Sequence, residues 1–271
     1  MLKKHHLFII VNLLIGMFLL YHIGFRPIPS AEVHAIKDIY DHMGGEHWPE
    51  KHKKGWFENG EISCNAYGIV CDDFKHITRL DLSGLKGKIP TSIKHLVYLE
   101  FLSLSGNFAS DIPAEIGSLV NLEYLSIGSN MLEGGLPKEI GRLPKLRHLD
   151  VYGETSEYNS EERGLISITH SEGEKSRAII RVKDKNRTGI IPPEIGNLKN
   201  LQLFSIAGYN FRGVIPEEIG QLVQLSSLSI GFSAIEGEIP HSIGQLRNLT
   251  SLHIYGVNIS GPIPDEIGNL E

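Results

Sequence analysis

Cysteine is scarce in this chain, with 2 residues among 271, and basic residues are fewer than acidic ones. Two thiols supply only half of a tetrahedral zinc site, so a cysteine-based metal centre is not expected. The formal net charge is −6. Because nucleic acids select basic surfaces, we expect no nucleic-acid partner. No nucleophile motif, phosphate-binding loop or zinc-helix motif occurs in the sequence.

What the chain has instead is a repeat. One phrase of 24 residues is repeated from Leu201, Leu225 and Leu249, with the shared pattern LxxLxIxxxxIxGxIPxxIGxL. Four earlier copies start at Ile77, Leu99, Leu122 and Leu146. A period between 20 and 29 residues, with leucines at the first, fourth and sixth positions, is typical of leucine-rich repeats.

The pattern predicts an α/β solenoid, with seven repeats over 76–271. The LxxLxI part predicts a short strand, and the strands of successive repeats should lie parallel on a concave face, about 4.8 Å apart. Glycines that allow a backbone bend follow the strands, at Gly213, Gly237 and Gly261. The Ile-Pro pairs predict short helical or 3-10 segments on the convex face. We expect helix C-caps at Gly220, Gly244 and Gly268.

The phrase GxIPxxIGxL resembles that of the plant-type leucine-rich repeats, over 77–270 apart from one interruption. That family includes the ectodomains of plant receptor-like kinases and receptor-like proteins, and the polygalacturonase-inhibiting proteins. Its repeats usually carry an asparagine whose stacked amides bond to neighbouring backbones. Asn107 and Asn130 match this position, but later repeats have Tyr209, Ser233 and Val257. The ladder formed by these stacked asparagine amides is therefore expected to be broken in the C-terminal half.

Residues 1–31 predict a targeting segment, either a signal peptide or a signal anchor. Lys3 and Lys4 precede an apolar run over 7–23. No A-x-A cleavage pattern follows, and the run is near the lower length limit for a membrane span, so both interpretations stay open. Processing that removes Lys3, Lys4 and Arg26 would leave 23 basic and 32 acidic residues, a net charge of −9. In either case we expect a secreted or cell-surface protein.

Residues 32–75 predict an N-terminal cap to the repeats. A helical periodicity ends at a Gly-Gly pair, and two tryptophans follow. Cys64 and Cys71 are expected to form a disulfide, because an export signal takes the chain to an oxidising environment. The plant-type family has a cap with tryptophans and a cysteine pair before the first repeat, and this stretch resembles it.

The fourth repeat is interrupted at about 153–186, by 31 more residues than the period accounts for. Two alternating segments, LISITH and RAIIRV, predict a β-hairpin, and plant-type receptors sometimes carry an island domain between repeats. The alternative is a structureless excursion. Three N-x-S/T sequons give candidate glycosylation sites at Asn186, Asn248 and Asn258.

After Leu270 we see no cysteine-containing cap, spanning helix or kinase, so the chain is interpreted as a fragment of a longer receptor. The alternative is that another chain covers this end, by homo-association for example. Four apolar residues of the last repeat would lack a covering neighbour: Leu249, Leu252, Ile254 and Ile259. A membrane is expected to be reached only through an uncleaved N-terminal segment or a missing C-terminal part.

On the concave face, the strand residues between the inward leucines point to solvent. One column reads Arg79, Phe101, Tyr124, His148, Leu203, Ser227 and Ser251. The next column runs from Asp81 through Asp150 to His253, and a third includes Tyr152, Ala207, Gly231 and Tyr255. Aromatic and arginine side chains anchor interfaces. We therefore predict a ligand-binding patch at Arg79, Asp81, Phe101, Tyr124, His148, Asp150 and Tyr152; the alternative is that aromatic residues simply suit a sheet.

The resemblance implies one of two functions. One is recognition of a protein, peptide or glycan ligand, as in a receptor ectodomain, and the other is inhibition of a secreted cell-wall hydrolase. Asp81 and Asp150 are three strands apart, roughly 14 Å by strand spacing, which is too far for a glycosidase carboxylate pair. We therefore expect no catalytic site, no metal and no cofactor.

Overall fold

The computed structural model describes residues 27–104, 111–130, 134–153, 189–208 and 211–270. The targeting segment before residue 27, the predicted hairpin within the interruption, Asn186 and Asn107 lie outside these ranges, as does the side chain of Asn130. Across the part of the chain that the structure describes, no helix has both the length and the apolar character needed to span a membrane.

Eleven strands form two sheets in the described residues. In chain order they are β1 (Ile69–Cys71), β2 (Ile77–Asp81), β3 (Phe101–Ser103), β4 (Tyr124–Asn130), β5 (His148–Gly153), β6 (Leu203–Ala207), β7 (Arg212–Gly213), β8 (Ser227–Gly231), β9 (Ala234–Gly237), β10 (Ser251–Tyr255) and β11 (Asn258–Ile259). The larger sheet has the order β1-β2-β3-β4-β5-β6-β8-β10. Strand β1, from the cap, is antiparallel to β2, and the seven repeat strands are parallel.

The inward residues of the seven repeat strands lie side by side in register: Leu80, Leu102, Leu125, Leu149, Phe204, Leu228 and Leu252. All but Leu252 are at most 1% exposed, so each repeat buries its apolar residues against its neighbours. This continuous parallel ribbon confirms the predicted α/β solenoid.

In the last repeat, Leu252, Ile254 and Ile259 are only half-buried, because no further described repeat packs over them. The expectation was wrong for Leu249, which is 4% exposed. Leu249 directly follows a 3-10 turn of the preceding repeat, and its backbone N–H donates to the carbonyl of Leu246.

Seven 3-10 helices of five residues each lie on the other side of the solenoid, and each starts directly after a proline. They span Thr91–His95, Ala114–Ser118, Lys138–Arg142, Pro193–Asn197, Glu217–Gln221, His241–Gln245 and Asp265–Asn269. The pyrrolidine ring fixes φ near the value that the first turn needs. The prediction of a helical or 3-10 segment is confirmed for the six Ile-Pro pairs from Ile89-Pro90 to Ile263-Pro264 and for Leu136-Pro137.

The glycines expected to cap these helices have a different role. Gly220, Gly244 and Gly268 lie inside 3-10 helices, so the C-cap prediction is wrong. A Cβ at Gly220 would lie 2.5 Å from the carbonyl oxygen of Ser242, and one at Gly244 would lie 2.5 Å from that of Glu266. Glycine is present at these two positions because the backbone of the next repeat comes so close that no space is left for a methyl group.

The second sheet, with the order β11-β9-β7, was not predicted, because its strands have only two to four residues and no apolar alternation. The bend glycines, which end β7 and β9 and follow β11, do have positive φ values, of 84° at Gly213, 85° at Gly237 and 80° at Gly261. In the ladder position of the sixth repeat, the hydroxyl of Ser233 is buried with no hydrogen-bond partner within the described ranges. The stacked amide interaction is therefore interrupted at this repeat.

The N-terminal cap consists of helix α1 (Ser30–His42), the short helix α2 (Glu50–Lys53) and strand β1. Helix α1 starts one residue before the predicted end of the targeting segment. Tyr40, Trp48 and Trp56 pack together, with ring centroids 5.0–5.9 Å apart. The predicted disulfide between Cys64 and Cys71 is present, with Cα atoms 5.4 Å apart. The cap therefore has an aromatic core of its own beside the first repeat.

Candidate ligand-binding site

Strand register brings four of the predicted site residues into one row across the sheet. Arg79 of β2 pairs with Phe101 of β3, Phe101 with Tyr124 of β4, and Tyr124 with His148 of β5. The row continues to Leu203 of β6. Because these strands are parallel and unshifted at these positions, side chains from four different repeats become immediate neighbours.

The four side chains form an unbroken stack, which we call the aromatic row (Arg79, Phe101, Tyr124 and His148). The guanidinium carbon of Arg79 lies 3.4 Å from the centroid of the Phe101 ring. The Phe101 and Tyr124 rings are 4.3 Å apart at an interplanar angle of 7°, and the Tyr124 and His148 rings are 4.4 Å apart at 19°. Both faces of Phe101 and of Tyr124 are therefore covered, and the ring edges face the solvent.

At the N-terminal end of the aromatic row, Asp81 holds the arginine. Its Oδ2 atom accepts a hydrogen bond from Arg79 Nη2 at 3.1 Å. The other oxygen, Oδ1, accepts from the hydroxyl of Ser83 at 2.8 Å. The hydroxyl of Ser83 is in turn 2.8 Å from that of Ser103. Asp81 therefore orients the guanidinium over the Phe101 ring and compensates the charge of the guanidinium.

At the other end, Asp150 is the partner of His148, with Nε2 and Oδ2 at 2.5 Å. Tyr152 donates a hydrogen bond of 2.6 Å to the hydroxyl of Ser205, whereas its distance to Asp150 Oδ1 is 3.4 Å. Burial raises the pKa of the Tyr152 phenol; the Ser205 hydrogen bond acts against this, and the nearby Asp150 charge adds to it. Tyr152 is therefore a neutral hydroxyl with a fixed orientation at ordinary pH.

The structure brings all seven predicted site residues onto one face, in two groups that meet at β5. Sequence reasoning missed Ser205, whose hydroxyl orients Tyr152, because a serine on a strand carries no signal by itself. It placed Tyr255 on the same face but did not select it. The Tyr255 ring covers Gly231, where a Cβ would lie 2.5 Å from the ring carbon that carries the hydroxyl. The signal was available, because a glycine in the neighbouring repeat leaves room for a large ring.

The two sequons within the described residues lie away from the aromatic row. Asn248 and Asn258 are both exposed, and Asn258 lies in β11 of the second sheet. The Nδ2 atom of Asn248 donates a 2.7 Å hydrogen bond to the carbonyl of Val223. Within the described ranges, no group of three or more histidine, cysteine, aspartate or glutamate side chains is arranged to hold a metal ion.

A family model described as Leucine Rich Repeat matches residues 121–143 and 248–270. The chain contains leucine-rich repeats of the plant type. A comparison with curated protein sequences gives no match.

Solved structures with the same fold include ectodomains of plant receptors. The leucine-rich-repeat chain is 31% identical to the plant peptide hormone receptor RGFR1, solved in complex with RGF2, over 76% of this chain and 32% of that chain, with a TM-score of 0.57. Identity to the ectodomain of the Arabidopsis receptor kinase HAESA, solved with an IDA peptide hormone ligand, is 20% over 82% of this chain and 41% of that chain, with a TM-score of 0.52. The ectodomain of the Arabidopsis receptor kinase SOBIR1 is 20% identical, over 88% of this chain and 100% of that chain, with a TM-score of 0.50.

The leucine-rich-repeat chain thus spans about a third of the length of RGFR1 and less than half that of HAESA. The likeness to HAESA and SOBIR1 concerns the fold alone.

Proposed function

We propose that this leucine-rich-repeat protein is a ligand-binding ectodomain, secreted or at the cell surface, that holds a peptide or protein on its concave face. The contact surface is the aromatic row together with Asp81, Asp150 and Tyr152. An oxidising compartment is supported by the Cys64–Cys71 disulfide of the cap. A receptor role is part of the proposal, because RGFR1 is a peptide hormone receptor that was solved in complex with RGF2.

The observation that carries this proposal is the unbroken stack of four side chains. Aromatic edges carry partial positive charge, and the faces carry partial negative charge. Since Phe101 and Tyr124 have both faces covered, the stack offers ring edges and polar rims to a ligand. Edges suit the carbonyl oxygens of a polypeptide. A sugar that stacks its apolar face on an aromatic ring would need an open ring face, so we favour a peptide or protein ligand over a glycan.

The same geometry favours binding over catalysis. Asp81 and Asp150 lie on β2 and β5, with two strands between them, or about 14 Å by strand spacing. Ser205, a hydroxyl beside the His148–Asp150 pair, accepts a hydrogen bond from Tyr152. A serine nucleophile needs a hydrogen bond to its general base instead.

The test is a selection of a random peptide display library on the purified protein, followed by measurement of the selected peptides against variants. We expect Tyr124→Ala to weaken binding at least tenfold, because it opens the centre of the aromatic row. Tyr98→Ala is the matched control: Tyr98 is an exposed tyrosine that stacks on His76 outside the row, at 3.7 Å. Equal affinities for the wild type and Tyr124→Ala would contradict the proposal. Stoichiometric loss of polygalacturonase activity on mixing would instead support the inhibitor alternative.

A further inference from the structure

Beyond the aromatic row, the concave face has a shallow basin between two tyrosines. We define the tyrosine basin as Asp150, Tyr152, Ser205, Gly231 and Tyr255. Tyr152 extends from β5 toward β6, where its hydroxyl reaches Ser205. Tyr255 extends from β10 toward β8, where its ring covers Gly231. Strands β6 and β8 are adjacent, so the two tyrosine side chains extend toward neighbouring strands of the sheet.

The Tyr255 ring is held in place by an aromatic neighbour. The Phe232 ring packs edge-to-face on it, with centroids 5.0 Å apart and an interplanar angle of 88°. Phe232 has a φ of 44°, a left-handed conformation that is costly for a residue with a side chain. Both rings remain more than a third exposed. The fold therefore sustains backbone strain that keeps two aromatic rings at the surface on the concave side, where they form one wall of the basin.

The basin also contains a carboxylate that pairs with no lysine or arginine of the described residues. The two acidic residues of the face differ in this respect. Asp81 is paired with Arg79, whereas Asp150 contacts His148 and, at a longer distance, Tyr152. In the described residues, no lysine or arginine forms a salt bridge with Asp150.

The phenol oxygens have acceptor capacity left. The hydroxyl of Tyr152 donates a hydrogen bond to Ser205 at 2.6 Å, so the lone pairs of the Tyr152 oxygen stay available as acceptors. Phenol oxygens that can accept hydrogen bonds, with a carboxylate beside one of them, suit the several N–H donors of a guanidinium group. The exposed Tyr255 and Phe232 rings add a surface for a cation.

We propose that the tyrosine basin binds a cationic side chain of the ligand, an arginine guanidinium in particular. This inference rests on the proposed function, because it assigns one side chain of the peptide or protein ligand to a subsite next to the aromatic row. Asp150 supplies the charge, and the two tyrosine hydroxyls accept hydrogen bonds. An acidic chain, with a net charge of −6, suits a basic partner.

The experiment uses two small probes that differ in charge alone, N-acetyl-L-argininamide and its neutral isostere N-acetyl-L-citrullinamide. Each is titrated into protein with 13C-labelled tyrosine rings, and Tyr152→Phe and Tyr255→Phe assign the ring signals. We expect saturable shifts of the Tyr152 and Tyr255 signals with the arginine probe. The citrulline probe should bind at least tenfold more weakly.

Asp150→Asn should weaken binding of the arginine probe about tenfold, whereas Asp38→Asn, at an exposed carboxylate of the cap helix outside the contact surface, should leave it unchanged. Tyr255→Ala is the second variant, and it should also weaken the arginine probe. Circular dichroism confirms that each variant is folded. Equal binding of the two probes, an absence of saturable shifts, or full binding by both Asp150→Asn and Tyr255→Ala would overturn this inference. Failure of the proposed function is a separate result, because it is read from peptide binding to Tyr124→Ala and does not involve these probes.

Discussion

The carboxylate of Glu32, on helix α1 of the cap, lies 2.7 Å from the imidazole of His76, directly before the first repeat strand. Its other oxygen accepts a hydrogen bond of 2.7 Å from the backbone N–H of Ile77. Glu32 is 3% exposed, which is rare for a glutamate unless it is paired. This side chain links the cap to the first repeat, in addition to the pairing of β1 with β2.

Glu32→Ala should therefore destabilise the junction by about 3 kcal/mol, because it leaves a buried N–H without an acceptor and removes one partner of a buried pair. Urea denaturation followed by tryptophan fluorescence measures this, since both tryptophans are in the cap. The control is Asp38→Asn, an exposed acidic residue of the same helix, which should change the free energy of unfolding by less than about 0.5 kcal/mol. Similar values for the two variants would contradict the joining role of Glu32.

Phe101→Leu keeps an apolar side chain in the aromatic row but removes two stacking contacts. An aromatic pair contributes about 0.5–1.5 kcal/mol beyond buried area, and an exposed cation–π contact about 0.5–1 kcal/mol. We expect a loss of about 1–2 kcal/mol in the free energy of unfolding, measured by urea denaturation. Tyr124→Phe, which keeps the stacked ring, should be nearly neutral. An unchanged free energy of unfolding in Phe101→Leu would show that the stack adds nothing to stability.

Gly220→Ala tests the close approach of neighbouring repeats. The new methyl group would lie 2.5 Å from the carbonyl oxygen of Ser242, so the repeats must separate, at a cost of about 1–3 kcal/mol. The chain supplies a matched control in Gly268, which occupies the same place in the last repeat, where an added methyl group would meet no described atom within 4 Å. Gly268→Ala should leave the melting temperature unchanged or slightly raised. The two variants should differ clearly in thermal unfolding, and equal melting temperatures would disprove this account.

His241 and Glu266 provide a test by pH. The Glu266 hydrogen bond raises the pKa of His241 above 6.5, and His241 in turn lowers the pKa of Glu266. Because the folded pKa of His241 is raised, the contribution of the pair is present below pH 6.5 and is lost as the pH rises through the raised value. NMR titration of the imidazole protons should show the raised pKa, and Glu266→Gln should return it toward 6.5. Glu139→Gln, three repeats away, should leave the pKa of His241 unchanged. A lowered His241 pKa in that control would refute the pairing of His241 with Glu266.

The row of strand residues shows how far sequence reasoning reaches. The period of the repeat is enough to place Arg79, Phe101, Tyr124 and His148 in one column, because parallel strands of a regular solenoid repeat their register. The stacking of the four side chains did not follow from the period. It depends on rotamers that place one ring plane against the next, at 7° and 19°. The C-cap prediction for Gly220 was wrong because local sequence carries no information on how closely the next repeat approaches.

The sequence by itself determined the strand register of the repeats, the 3-10 turns after the prolines of the repeat phrase and the disulfide of the cap. These features follow from the period of the apolar residues and from local backbone chemistry. The tertiary structure alone decided that Glu32 reaches Ile77, that Asp81 is paired with Arg79 while Asp150 pairs with no described lysine or arginine, and that Tyr152 turns to Ser205 while Tyr255 covers Gly231. Those relationships depend on side-chain directions between residues far apart in the chain, and a one-dimensional period does not specify them.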